Sequence, residues 1–235
     1  MRRVVLVRHG DDPPDDRVYT YMAEAGLNPV VVRPFAGESL GEVDDDVIGS
    51  VVYGGPYCPA EKADYPFMLE EHRWIEQCLA RDVPFLGICQ GGHHLAHVLG
   101  AYTGPRDHGL YEFGYYEIRP VEGAEGFLDG PLTVCQAHFH EFGLPDGAQL
   151  LAESDWYPQQ AFRYGTNAYA FQFHPEVTPA GMRRWQDAPW AHFGKAGSQT
   201  REEQDRLMAL HDAAQHEWFM RFLGHLFPAK MTAAV

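Results

Sequence analysis

The chain has 235 residues, 45% of them apolar, enough to bury a substantial core and too apolar for a disordered segment. Its 18 basic and 33 acidic residues give a formal charge of −15, which repels nucleic-acid backbones and anionic membrane surfaces and sets both aside as partners. The four cysteines include no C-x-x-C pair and are too few for a disulfide scaffold, so they read as reduced thiols of a cytoplasmic protein.

Val4–Val7 follows two arginines but stops after four apolar residues, too short for a signal peptide, and reads as a buried strand. No later segment reaches the ~18 apolar residues of a membrane span. Asp15–Ala25 is expected to be a helix closed by Gly26, Pro29–Val32 a second strand, and Val47–Tyr53 a third that runs into Gly54-Gly55-Pro56. Asp44-Asp45-Asp46 caps or solvates the turn before it. From Pro66 to Ala80, Met68, Ile75 and Leu79 fall on one helical face with Trp74 and Cys78 beside them, and Pro84–Gly87 is a fourth strand. Strands alternating with helices predict an α/β fold with a parallel sheet. Between Tyr111 and Phe173, the short segments Tyr115–Arg119, Leu132–Gln136 and Tyr169–Phe173 are expected as antiparallel or edge strands of a small insertion. After Pro179 the pattern is helical again, with Leu207, Leu210, Ala214, Trp218 and Phe222 on one stripe that is expected to pack on the sheet. Without repeats or linkers, residues 1–235 read as one domain.

The densest chemical signal is Gly87-Ile88-Cys89-Gln90-Gly91-Gly92, between the fourth strand and the helix-like run His93–Leu99. A strand turning directly into a helix strains its corner residue, and glycines two positions to either side remove side chains that would collide, which is a nucleophile elbow with cysteine in place of serine. The helix N-terminus favours a thiolate through its positive potential and free N–H groups. Cys89 is thus placed to attack a carbonyl, whereas Cys58, Cys78 and Cys135 lack such surroundings and are assigned to packing or solvent. A thiol nucleophile needs a base and a group to orient it. Phe171-Gln172-Phe173-His174-Pro175-Glu176 supplies both, because Glu176, two residues beyond His174 in extended chain, projects to the same side. An acyl-transfer site also needs two N–H donors for the oxyanion. The Gln90 amide, just after the nucleophile, and the Gly55 amide, where a ligand can approach closely, fill that role.

With YGGP at 53–56, GICQGG at 87–92, Gln160–Gly165 and FQFHPE at 171–176, the chain resembles a class I glutamine amidotransferase domain, similar to the stand-alone form of the amidotransferase domain of GMP synthetase. The resemblance implies a flavodoxin-like fold, a mainly parallel sheet with helices on both faces and Cys89 above its carboxyl edge. It also implies Cys89 as nucleophile, His174 as base, Glu176 as its orienter, and Gly55 with Gln90 as oxyanion hole.

Two positions depart from the family pattern. His93 stands where glutamine commonly helps to hold the substrate, and His140 stands where an acidic residue is frequent. Both are expected to contact the substrate, and a protonated imidazole there favours a carboxylate over an ammonium. His93 and His97 are i and i+4 on a helix, a pattern too unspecific to imply a metal, so no metal and no cofactor are expected. The expected activity is hydrolysis of glutamine or a related γ-glutamyl amide through a γ-glutamyl thioester, releasing ammonia. The alternatives are hydrolysis of another γ-glutamyl compound, or a non-catalytic binding or regulatory protein that retains the fold. With neither a P-loop nor a synthase region in the sequence, an ammonia-accepting synthase is expected to be a separate chain.

Overall fold

Apolar runs with no polar face must be covered on both sides, and the computed structural model, which describes residues 1–61 and 63–229, places them so. The strands β1 (Arg3–Val7), β2 (Pro29–Val32), β3 (Val47–Val52) and β4 (Phe85–Ile88) pair in parallel in the order β2-β1-β3-β4. One face packs Val4, Leu6, Val51, Leu86 and Ile88 against α1 (Arg17–Glu24) and the long α5 (Arg201–Leu226). The other packs Val5, Val7, Val52 and Phe85 against α2 (Phe67–Ala80) and α3 (Gln90–Val98). Asp16 caps α1 by accepting from the Val18 and Tyr19 N–H groups. Asp44 accepts from the Asp46 N–H and from Arg3, as expected for a turn-capping acidic run.

The sheet continues beyond β4 through β11 (Ala168–Phe171), β10 (Ala161–Tyr164), β9 (Gln149–Glu153), β6 (Glu112–Pro120) and β7 (Leu132–His138), giving nine strands. The pairings from β11 outward are antiparallel. One expectation is corrected here: Tyr169–Phe173 is not an edge segment, because β11 lies in the middle of the sheet and pairs in parallel with β4. Its alternation reflects two buried faces of different depth. Tyr169 and Phe171 join the α1–α5 core, while Ala168 and Ala170 leave room for α3 to approach on the other side. A separate ribbon of β5 (Thr103–Pro105) and β8 (His140–Phe142) lies outside the main sheet.

The helix after Pro179 is α4 (Pro179–Asp187), and α5 departs from the expected stripe. Leu210 is 63% exposed and Ala214 is exposed, whereas Gln204, Met208, Gln215, Trp218 and Phe222 are buried. The two glutamines serve backbone groups of the sheet: Gln204 donates to the Phe113 carbonyl at 2.9 Å, and Gln215 accepts from the Cys135 N–H at 2.6 Å. Hydropathy cannot register a face whose burial is secured by hydrogen bonds. Among the described residues no helix is long and apolar enough to cross a membrane.

Candidate active site

Strand β4 passes into α3 with Cys89 alone at the corner, at φ 50° and ψ −108°. That backbone is strained for an L-residue, at a cost of roughly 1–3 kcal/mol that the surroundings must hold in place. The neighbouring glycines explain how it is held. A Cβ on Gly91 would run into the Val52 carbonyl, and one on Gly87 into the Gly91 backbone, so only this sequence lets the helix start directly on the strand end. The Cys89 N–H donates to the Phe171 carbonyl at 2.7 Å, fixing the corner to β11.

His174 follows β11, and its N–H donates to the Cys135 carbonyl at 2.8 Å. Its Nδ1–H donates to Glu176 Oε1 at 2.8 Å, both side chains being buried. The other nitrogen, Nε2, is buried with no hydrogen-bond partner at standard geometry and is the one available to the Cys89 side. Burial disfavours the imidazolium, but the charges of Glu176 and Cys89 outweigh it and hold His174 up at about 10. The Trp185 ring stands edge-on to the imidazole at 4.8 Å and shields it from water. Arg17 anchors the segment from below, donating its backbone N–H to the Glu176 carbonyl and a guanidinium N–H to the Pro175 carbonyl. The same guanidinium contacts both Asp212 carboxylate oxygens at 2.7 Å, tying the site to α5.

Gly54 and Gly55 leave β3 beside this pair. A Cβ on Gly54 would stand 2.7 Å from His174 Cε1, and one on Gly55 would stand 2.5 Å from His9 Cβ and 2.6 Å from Gln90 Oε1, so neither position admits a side chain. All the expected site residues, Cys89, His174, Glu176, Gly55, Gln90, His93 and His140, line one cleft of about 510 Å³.

His93 is buried, with its Nε2 at 2.9 Å from Gln172 Oε1, to which it donates, and its ring edge-on to Phe142. Burial, reinforced by the neighbouring histidines, pushes it down to about 3. His140, half-buried beside Phe139, is also lowered by burial. The expectation of protonated imidazoles facing a carboxylate is therefore corrected: both rings are held toward the neutral form, which offers one donor and one acceptor each. His93 and His97 do not converge, since His93 turns to Gln172 while His97 lies against the His72 ring at 5.0 Å.

Two buried pairs escaped the sequence reading. His9 Nε2 lies 3.1 Å from both carboxylate oxygens of Glu71, and His138 Nε2 lies 2.9 Å from Glu112 Oε2. His94 joins the first, so that one ligand-type atom each from His9, Glu71 and His94 lies within 4.8 Å of the others. A signal for Glu71 exists in the sequence, because a carboxylate between Met68 and Ile75 falls on the apolar stripe of α2, where an unpaired charge is costly. His9 carries no comparable local sign.

The family model described as glutamine amidotransferase class-I matches residues 16–184. The chain is 36% identical over 165 residues to one of the subunits of the glutamine-hydrolyzing GMP synthase of Archaeoglobus fulgidus, covering 68% of this chain and 84% of that one. It is 34% identical over 156 residues to the glutamine amidotransferase-like protein YfeJ of Salmonella typhimurium, covering 62% of this chain and 64% of that one. Against the GMP synthase of Porphyromonas gingivalis (strain ATCC 33277) the match spans only 25% of that protein's length. A crystal structure of a glutamine amidotransferase from Thermotoga maritima superposes with a TM-score of 0.85 at 28% identity, covering 96% of this chain and 97% of that one. Fold and sequence agree, and the chain belongs to the class I glutamine amidotransferase family.

Proposed function

We propose that the chain is a single-domain, cytoplasmic thiol amidohydrolase that releases ammonia from glutamine or a related γ-glutamyl amide through a γ-glutamyl thioester on Cys89. The observation that carries this reading is the strained Cys89 corner sharing one cleft with the buried His174–Glu176 pair. Cys89 sulfur attacks the carboxamide carbon, and the oxyanion is met by the Gly55 and Gln90 N–H groups. His174, held protonated, gives its proton to the departing ammonia as the C–N bond breaks. The neutral imidazole then takes a proton from water, whose oxygen attacks the thioester; glutamate leaves and the sulfur returns to its starting state. Glu176 keeps the imidazole oriented and charged. His93 and His140, as neutral groups, would hydrogen-bond the amino-acid end of the substrate. Where a synthase takes up the ammonia, it would be a separate chain, as the GMP synthase of Archaeoglobus fulgidus, with its glutamine-hydrolyzing similarity confined to one subunit, suggests. The size of the cleft also suits γ-glutamyl compounds larger than glutamine. Ammonia release measured across glutamine and a series of γ-glutamyl amides tests the reading. At least one substrate is expected to turn over in the parent and none in Cys89→Ser, while turnover by folded Cys89→Ser would remove the thioester.

A further inference from the structure

The buried side chains His9, Glu71 and His94 lie behind the Gly54-Gly55 turn and have no part in the proton transfers above. Their hydrogen bonds fix where the protons must be. Gln90 Oε1 accepts from the Tyr57 N–H at 2.8 Å, so its Nε2 is the atom that meets His94 Nε2 at 3.2 Å and donates to it. His94 therefore carries its proton on Nδ1, which lies 3.5 Å from Glu71 Oε2. His9 Nδ1 lies 3.2 Å from the Gly54 carbonyl, an acceptor only, so Nδ1 carries a proton. Its Nε2 then faces two carboxylate oxygens at 3.1 Å, and a lone pair cannot face them without a proton between. A divalent cation held by all three groups would need a lone pair on His94 Nδ1, which the donation from Gln90 denies. The network therefore takes a shared proton, with His9 donating from both ring nitrogens.

We propose that His9, braced by Glu71, is a positioning residue for the oxyanion hole: it holds the Gly54 carbonyl and thereby aims the Gly55 N–H into the cleft. The Gly54 C=O and the Gly55 N–H belong to one trans peptide unit and point in opposite directions, so fixing one aims the other. Gly54 itself lies against Cys89 and His174, where an added Cβ would be 3.5 Å from Cys89 Cβ. Among the described residues the Gly55 N–H has no hydrogen-bond acceptor, as a donor kept for substrate requires. The missing Cβ of Gly55 is what lets His9 lie directly beneath the turn, and Gln90 closes it from the other side. The inference rests on the proposed acyl chemistry of Cys89 but not on the identity of the substrate.

The test compares two reactions at Cys89 in His9→Ala, His9→Asn and Glu71→Gln. With p-nitrophenyl acetate, sulfur bonds to the acyl carbon and p-nitrophenolate leaves through a tetrahedral oxyanion. With iodoacetamide, sulfur displaces iodide from carbon and no oxyanion forms. His9→Ala is expected to lower the acylation rate roughly a hundredfold, the scale of one lost oxyanion donor, while alkylation stays within about threefold. His9→Asn, whose amide can still donate to the Gly54 carbonyl, should recover to within about tenfold of the parent, and Glu71→Gln, which can donate to a neutral His9, likewise. Equal losses in both reactions, unimpaired acylation in His9→Ala, or no recovery in His9→Asn would overturn the proposal. So would a parent that is not acylated, or a stoichiometric divalent metal in the purified parent whose chelation changes the acylation rate. Normal acylation without ammonia from any γ-glutamyl amide would instead reject the substrate reading and leave the role of His9 standing.

Discussion

His174 and His93 are both buried in the same cleft, yet their surroundings drive them in opposite directions, and pH separates their contributions. For His174 the folded value, about 10, is above the ordinary 6.5. Its pairing therefore stabilises the fold fully below pH 6.5, and this contribution is lost as pH rises toward 10. The stability of the parent relative to His174→Phe should fall by roughly 1–3 kcal/mol between pH 6.5 and 9.5 in urea titrations. His93, with a folded value of about 3, shows the reverse sign. Its burial as a neutral ring is favourable above pH 6.5 and is lost as the pH falls toward 3, because the unfolded chain binds the proton. His93→Gln should then gain roughly 1–3 kcal/mol relative to the parent between pH 7.5 and 4.5. A flat difference in either experiment would contradict the assigned protonation state. In catalysis the triad members are not equivalent, because His174 moves protons while Glu176 orients. His174→Ala should cost more in kcat than Glu176→Ala, by about tenfold or more, in ammonia-release assays on folded variants.

At the level of elements, the parallel half of the sheet was legible from the sequence, and the far half was only partly so. β1 to β4 and α2 are continuous apolar runs or clean stripes, and each is punctuated by Gly or Pro, so pattern and structure coincide. β5 and β8 have three residues each, too short to carry a period, and the place of β11 depends on which strands it meets rather than on its own composition. The candidate nucleophile, base and orienter could be read because they are local motifs at strand ends. His9, Glu71, His138 and Glu112 could not, because each pair joins residues far apart in sequence. In α5 the disagreement is itself measurable. Gln215→Leu removes the acceptor for the Cys135 N–H and should destabilise the protein by about 1–3 kcal/mol, although it makes the helix more apolar. Leu210→Glu, on the exposed face, should stay within about 0.5 kcal/mol. Denaturant midpoints for the two variants would reverse this order if the stripe read from the sequence were the buried one.

For the molecule as a whole, the sheet brings the C-terminal ends of β3, β4 and β11 side by side, so that Gly55, Cys89 and His174 come from three parallel neighbours although they are up to about 120 residues apart in sequence. The remaining cysteines do not compete in this arrangement. Burial raises Cys58, raises Cys78 to about 12, and pushes Cys135 well above the ordinary thiol range, whereas Cys89 lines the cleft. The central claim is the covalent intermediate, and it can be weighed directly. The parent is mixed with glutamine, or with the γ-glutamyl amide it turns over fastest, quenched in acid within one turnover, digested and analysed by mass spectrometry. The account predicts one γ-glutamyl group on the peptide that contains Cys89, none on the peptides of the other three cysteines, and none anywhere in Cys89→Ser. Ammonia release by the parent with no acyl group on Cys89, or with the group on another cysteine, would contradict it.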